Sequence, residues 1–215
     1  MGALLVGAAS VGACRSMPHT ETAPQSSAVA PRDDDVFRNE VVGFSLRKPP
    51  SWRFGPTAWG AANLDQLEFK DDEFAALVME NATEPLVVVL KYDEPIDALS
   101  PVFRATFRRL GELSHLRPEQ IANLLIPQFR ESLADFNLVR GVSTTEISGH
   151  PAAHFASSFT VDDLGGTTHP IVTETWMVKR GDYVFILGSS APSQDPSHEE
   201  LQAILQSISI DPGRF

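Results

Sequence analysis

His150 and His154 stand four residues apart, a spacing that on a helix would bring two imidazoles to one face and open the way to a metal site. Gly149, Pro151 and the alternation that follows predict a turn and a strand there instead. His169 opens the next strand. In a simple hairpin it lies beside Val161, seven residues along from His154 and roughly 23 Å away at a strand's rise. One ion cannot join ligands so far apart, so these histidines read as separate surface or half-buried groups. Ser157 and Ser158 fall in mid-strand, and no serine stands in a Gly-x-Ser-x-Gly elbow. Asp71-Asp72-Glu73 and Asp162-Asp163 are neighbours in loop-like stretches, where carboxylates are solvated rather than set across a scissile bond. Gly165-Gly166 lacks the lysine and helix start of a phosphate loop. Arg180-Gly181-Asp182 is a turn, with a glycine that permits it and charges that tolerate its exposure. Asn81-Ala82-Thr83 is a glycosylation sequon. No metal, cofactor or catalytic centre is implied, and the expectation is a protein that is not an enzyme.

The cationic residues are more suggestive. Arg104, Arg108 and Arg109, with Arg117 nearby, form one basic cluster in an acidic chain. On a helix Arg104 and Arg108 share a face. The cluster reads either as a docking patch for an anionic partner or lipid headgroup, or as a solvated face with Glu112 and Glu119 near enough to pair.

The single cysteine, Cys14, ends the uncharged run MGALLVGAASVGAC. Fourteen residues are too few to cross a hydrocarbon core, which needs roughly 20 as a helix, but suit the apolar region of a secretory signal. Val11-Gly12-Ala13-Cys14 resembles the lipobox of bacterial lipoproteins, in which the cysteine is acylated, as with palmitate, and becomes the first residue of the mature chain. N-myristoylation, the other lipid option for a Met-Gly start, wants Ser or Thr where Val6 stands. From Arg15 to Asp35 the sequence is rich in Pro, Ser, Thr and Ala, and buries too little to offset its ordering entropy. The expected layout is a lipoprotein signal over 1–14, a flexible tether over 15–35 reaching on the order of 25 Å, and one domain over 36–215. That layout implies a bacterial cell envelope, with the domain lipid-anchored and facing the periplasm or exterior.

About 175–180 residues remain for the domain, enough for a proper core. The net charge of −11 argues against nucleic acid and against broad adhesion to anionic lipid. With no cysteine after Cys14 the domain has no internal disulfide.

Alternation predicts strands over Val36–Val42, Phe44–Lys48, Phe74–Glu80 and Leu86–Tyr92, the last apolar enough to be covered on both faces. Ser100-Pro101 reads as a helix start, with Phe103, Phe107 and Leu110 in one stripe. Arg117-Pro118-Glu119 opens a second helix, striped by Ile121, Leu125, Phe129 and Leu133 and interrupted by Pro127, which should kink or split it. Strands return at Leu138–Ile147, Ala152–Val161, Ile171–Lys179 and Tyr183–Ser190, the last three as a meander. A two-residue Arg180-Gly181 turn would set Lys179 against Asp182, Met177 against Val184 and Thr175 against Ile186. Both faces of that meander are apolar, so both should be covered. A closing helix carries a capping box, Ser197 with Glu200, and the stripe Leu201, Ile204, Leu205, Ile208. The expected class is α+β, an α/β/α sandwich in which helices flank a central, mostly antiparallel sheet.

Two groups of residues resemble the PsbP-like superfamily, whose members include a photosystem accessory protein, a Ran-binding import factor and many bacterial lipoproteins. One is VVGFSLRKPPSW, from Val41 to Trp52. The other is the succession GHPAAHFASSF, TWMVKRGDYVFILGSSAP and EELQAILQSISI. The resemblance implies the same α/β/α architecture, no catalytic residues, and action by binding other proteins. The expected function is thus a non-enzymatic envelope module that binds or stabilises another envelope protein. The alternative is a carrier of a small amphiphile or lipid, held between sheet and helices.

Overall fold

Long alternating segments dominate the second half of the chain, and they dominate the structure. The computed structural model describes residues 33–56, 85–92, 99–163 and 165–212. Its strands are β1 (Val36–Asn39), β2 (Phe44–Arg47), β3 (Arg53–Gly55), β4 (Val87–Leu90), β5 (Val102–Arg109), β6 (Asn137–Ile147), β7 (His150–Asp162), β8 (Thr168–Arg180), β9 (Tyr183–Pro192) and β10 (Ser209–Ile210). The helices are α1 (Pro118–Ser132) and α2 (His198–Gln206), and short 3-10 turns cover Asp33–Asp35 and Gly111–His115. Seven strands make one sheet in the order β3-β4-β5-β9-β8-β7-β6, and β1-β2-β10 make a smaller one. Every described pairing is antiparallel. The chain is therefore α+β and sheet-dominated. The predicted strand Phe74–Glu80 lies outside the described residues.

Period-2 alternation along β7, β8 and β9 sorts apolar side chains onto two faces, and both are buried as expected. Trp176, Val178, Phe185 and Leu187 join Phe103, Phe44 and Leu46 beneath Leu201, Ile204 and Leu205 of α2. Ala153, Phe155, Met177 and Val184 of the opposite face meet Ile121, Ala122 and Ile126 of α1. Each fully buried side chain of this size contributes about 1.5–3 kcal/mol of transfer free energy.

The segment after Ser100 is a strand, not the expected helix. The spacing of Phe103 and Phe107 fits a helix, but four is also an even number, so it fits one face of a strand equally well. Ser100 caps no helix; its hydroxyl accepts the Tyr92 N–H (3.1 Å) and closes the β4–β5 connection. The register of β8 and β9 also differs from expectation. Arg180 faces Tyr183, Met177 faces Ile186 and Thr175 faces Gly188, so the loop is Gly181-Asp182. Arg180 stays in the ladder because its side chain is buried and donates to the Asp211 carbonyl (2.9 Å), while Gly181 adopts φ +57°. The slip is two residues, which leaves every side chain on its expected face.

Helix α1 is not split at Pro127, which is exposed and so leaves its freed carbonyl on the wet side. Nor does Ser197 form the expected capping box. Glu200 turns instead to Lys91 (2.8 Å), and Lys91 also donates to the Ser197 hydroxyl (2.7 Å).

Candidate functional site

On β5, Phe103 and Ala105 point into the core beneath α2, so the intervening Arg104, Thr106 and Arg108 occupy the other face, the one α1 covers in part. The ladder fixes their neighbours. Arg104 lies between Val88 and Gly188, with Thr175 one strand further; Thr106 faces Ile186, and Arg108 faces Val184 with Lys179 beyond. Helix α1 packs on β6, β7 and β8, so Arg104 and Arg108 lie past its main contacts. The strand positions of this face on β4, β5, β8 and β9 carry three cations and no carboxylate.

Lys179 is committed to structure: it donates to the Ser114 (2.5 Å) and Leu116 (2.8 Å) carbonyls and holds the 3-10 turn to the sheet. Arg104 and Arg108 have no such partner among the described residues. Burial holds both guanidinium groups below their ordinary pKa, and the Arg108 Nε is wholly buried with no hydrogen bond. Of the four arginines of the possible docking patch, Arg104 and Arg108 share one face of β5. Arg109 is exposed on the opposite face of β5, and Arg117, at the start of α1, pairs with Glu119 (3.0 Å). Cys14 lies outside the described residues.

Several other polar groups stack on or bond to one another. His154 stacks on Trp176, with centroids 4.8 Å apart and an 11° interplanar angle. Its Nε2 is 3.7 Å from Glu174, which accepts a hydrogen bond from Gln202 of α2 (2.9 Å). Burial is the main influence on His154 and draws its pKa below the ordinary imidazole value. Asp163 gathers the β7–β8 loop, accepting from Gly165 (2.8 Å), Thr167 (2.9 Å) and His169 (2.8 Å). The pairing of Val161 with His169 keeps that histidine far from His154, as expected. Among the described residues no group of three His, Cys, Asp or Glu is placed to hold a metal ion.

Among the described residues, Ser197 is a hydroxyl that has both Lys91 and Asp195 as hydrogen-bond neighbours, as a nucleophile would need. Its geometry is wrong for that role. Ser197 is fully buried, and the hydrogen bond to Glu200 raises the Lys91 pKa, which keeps the amine a cation rather than a base. The arrangement joins the end of β4 to the start of α2. Sequence reading found Arg104 and Arg108 but not Gly188 and Thr175 beside them, because cross-strand neighbours carry no local signal.

The chain has a PsbP-like fold, an α+β domain built on the seven-stranded antiparallel sheet. Its structure is similar to cyanobacterial PsbP (CyanoP) from Synechocystis sp. PCC 6803, with TM-score 0.51 and 8% identity over 88% of this chain and 100% of that one. It is also similar to LpqN, a protein involved in cell envelope biogenesis of Mycobacterium tuberculosis, with TM-score 0.50 and 14% identity over 79% of this chain and 83% of that one. No family model and no curated protein matches the sequence.

Proposed function

We propose that this chain is a non-enzymatic, lipid-anchored accessory protein of a bacterial cell envelope. In this reading Cys14 carries the acyl chains, residues 15–35 are the tether, and the domain over 36–215 binds or stabilises another envelope protein. Its helices and sheet then form a three-layer α/β/α sandwich. The observation that carries the reading is the run Val11-Gly12-Ala13-Cys14 ahead of a domain with the PsbP-like fold. The likeness in fold to LpqN supports an envelope role, and no helix among the described residues is long and apolar enough to cross a membrane. A second reading, a carrier of a small amphiphile held against the sheet, draws on the half-buried Arg104 and Arg108.

The test is the mass of the mature N-terminus from native envelopes, with membrane fractionation of the wild type and Cys14→Ser and crosslinking of both. Acyl chains on Cys14, loss of membrane association in Cys14→Ser, and one envelope protein crosslinked only to the wild type are expected. An unmodified Cys14 in membrane-associated protein would remove the anchor and, with it, the localisation.

A further inference from the structure

The sheet face beyond α1 holds two cations whose burial nothing among the described residues offsets. A guanidinium taken out of water needs an anion or several acceptors, and an unpaired one is destabilising. In this −11 chain, acids are common enough that pairing would be the cheap arrangement. Instead, Arg104 and Arg108 sit on one face of β5 with the hydroxyl of Thr106 between them, and the Arg108 Nε–H points at no acceptor. Across the ladder Gly188 leaves the Arg104 stem free to lie over β9, since even a Cβ there would sit 3.6 Å from the Arg104 Cγ. Thr175 lies next in that row. At a strand's rise the two arginine Cα atoms are about 13–14 Å apart, so both long side chains can lean over Thr106 toward one group.

We propose that Arg104 and Arg108, with Thr106 between them, form a binding site for an oxyanion of the phosphate class. A guanidinium fork matches phosphate oxygens in geometry and in charge, and two forks flanking a hydroxyl give directional donors from both sides. The phosphate is either a free ion or the headgroup of a lipid or other amphiphile; the chemistry at the arginines is the same. This site is independent of acylation at Cys14, so either can fail without the other.

The test is calorimetric titration of the full chain at constant ionic strength with inorganic phosphate and with monomeric dihexanoyl phosphatidylglycerol. Arg104→Met, Arg108→Met and Arg109→Met are measured beside the wild type, with melting curves of the unliganded proteins. Binding should weaken at least about tenfold in Arg104→Met and in Arg108→Met, and stay unchanged in Arg109→Met. Unliganded Arg104→Met should melt no lower than the wild type, because methionine removes an uncompensated buried charge. Tighter binding of the lipid than of inorganic phosphate names a headgroup as the source, and equal binding names the free ion. Failure of both probes to bind overturns the proposal, as does equal weakening in Arg109→Met. So does lower melting of both methionine variants, which would show that the arginines are paired within the chain.

Discussion

Alanine in place of Gly43 probes how the small sheet is fastened to the large one. Gly43 ends the turn between β1 and β2 at φ +62°, and its carbonyl accepts the Asp211 N–H (2.8 Å). Arg180 donates to the carbonyl of the same Asp211 (2.9 Å), so the chain leaving β10 is held from two sides. A Cβ at Gly43 would stand 2.8 Å from the Asp211 Cβ and 3.3 Å from an Arg180 guanidinium nitrogen. The left-handed backbone alone costs an L-residue about 1–2 kcal/mol. Asp211 meets the new methyl with its Cβ, which cannot swing away without moving the backbone, so one or both hydrogen bonds weaken at about 0.5–1.5 kcal/mol each. The sum is about 1.5–5 kcal/mol. Gly149→Ala supplies the control: φ there is +77° with nothing within 4 Å, so only the backbone cost of about 1–2 kcal/mol applies. Urea unfolding followed by the fluorescence of buried Trp52 and Trp176 measures both. Equal losses in the two variants would refute the close approach of Gly43 to Asp211.

Ile204→Ala, at a position with no exposure beneath the large sheet, should cost about 2–5 kcal/mol in the same assay, whereas Leu113→Ala, 41% exposed, should fall within about 0.5 kcal/mol of the wild type. His154 has a folded pKa lowered chiefly by burial. As pH falls below the unfolded value of about 6.5, the unfolded chain takes up a proton that the folded one refuses, and stability drops until the folded pKa is reached. His154→Phe should flatten that slope between pH 7.5 and 5.5; an unchanged slope would assign it elsewhere. Asp195 acts in the acid range: burial, the largest influence, raises its pKa, but hydrogen bonds from Ser197 and Tyr92 outweigh it and leave the group below its ordinary value. Its contribution is present above the unfolded pKa of about 3.9 and is lost as pH falls through the folded one, so Asp195→Asn should show a shallower acid limb in a pH-unfolding series. Arg117→Ala, which removes an exposed ion pair with Glu119, should change stability by less than about 1 kcal/mol in urea unfolding.

The meander β7–β8–β9 was legible because its alternation is long and two-sided: Trp176 and Val178 on one face, Met177 and Thr175 on the other, with no spacing that a helix could share. Even a misplaced turn did no damage to the faces, because a slip of two residues conserves the parity of a strand. Helix α2 was legible for the complementary reason, since Leu201, Ile204, Leu205 and Ile208 at intervals of three, one and three fit no strand. β5 failed on parity. Phe103 and Phe107, and Arg104 and Arg108, are four apart, and an interval of four puts two residues on one side of either element. Only their spatial partners decide, and Ala105 opposite Leu187 and Val87 is a contact between distant segments that no local window contains.

That one element changes what the arginines mean. On a surface helix, Arg104 and Arg108 would be separated by about 6 Å of rise, with Glu112 within reach of the same solvated face, and their charge would cost little. On β5 they are about 13–14 Å apart along a strand between β4 and β9, with valines and a glycine as ladder neighbours and no acid on the row. Water is partly withdrawn from both, which holds their pKa values below the ordinary one, and neither is paid back by a carboxylate among the described residues. A solvated patch needs no explanation; a desolvated, unpaired cation pair does, because substitution by any apolar residue of similar size would relieve it. The placement of both arginines is therefore informative in a way that their number alone is not. If unliganded Arg104→Met is as stable as the wild type or more so and has lost phosphate binding, the pair is kept for what it binds. If the variant is less stable and nothing binds, the pair is kept for the fold, and the site on β5 is a structural one.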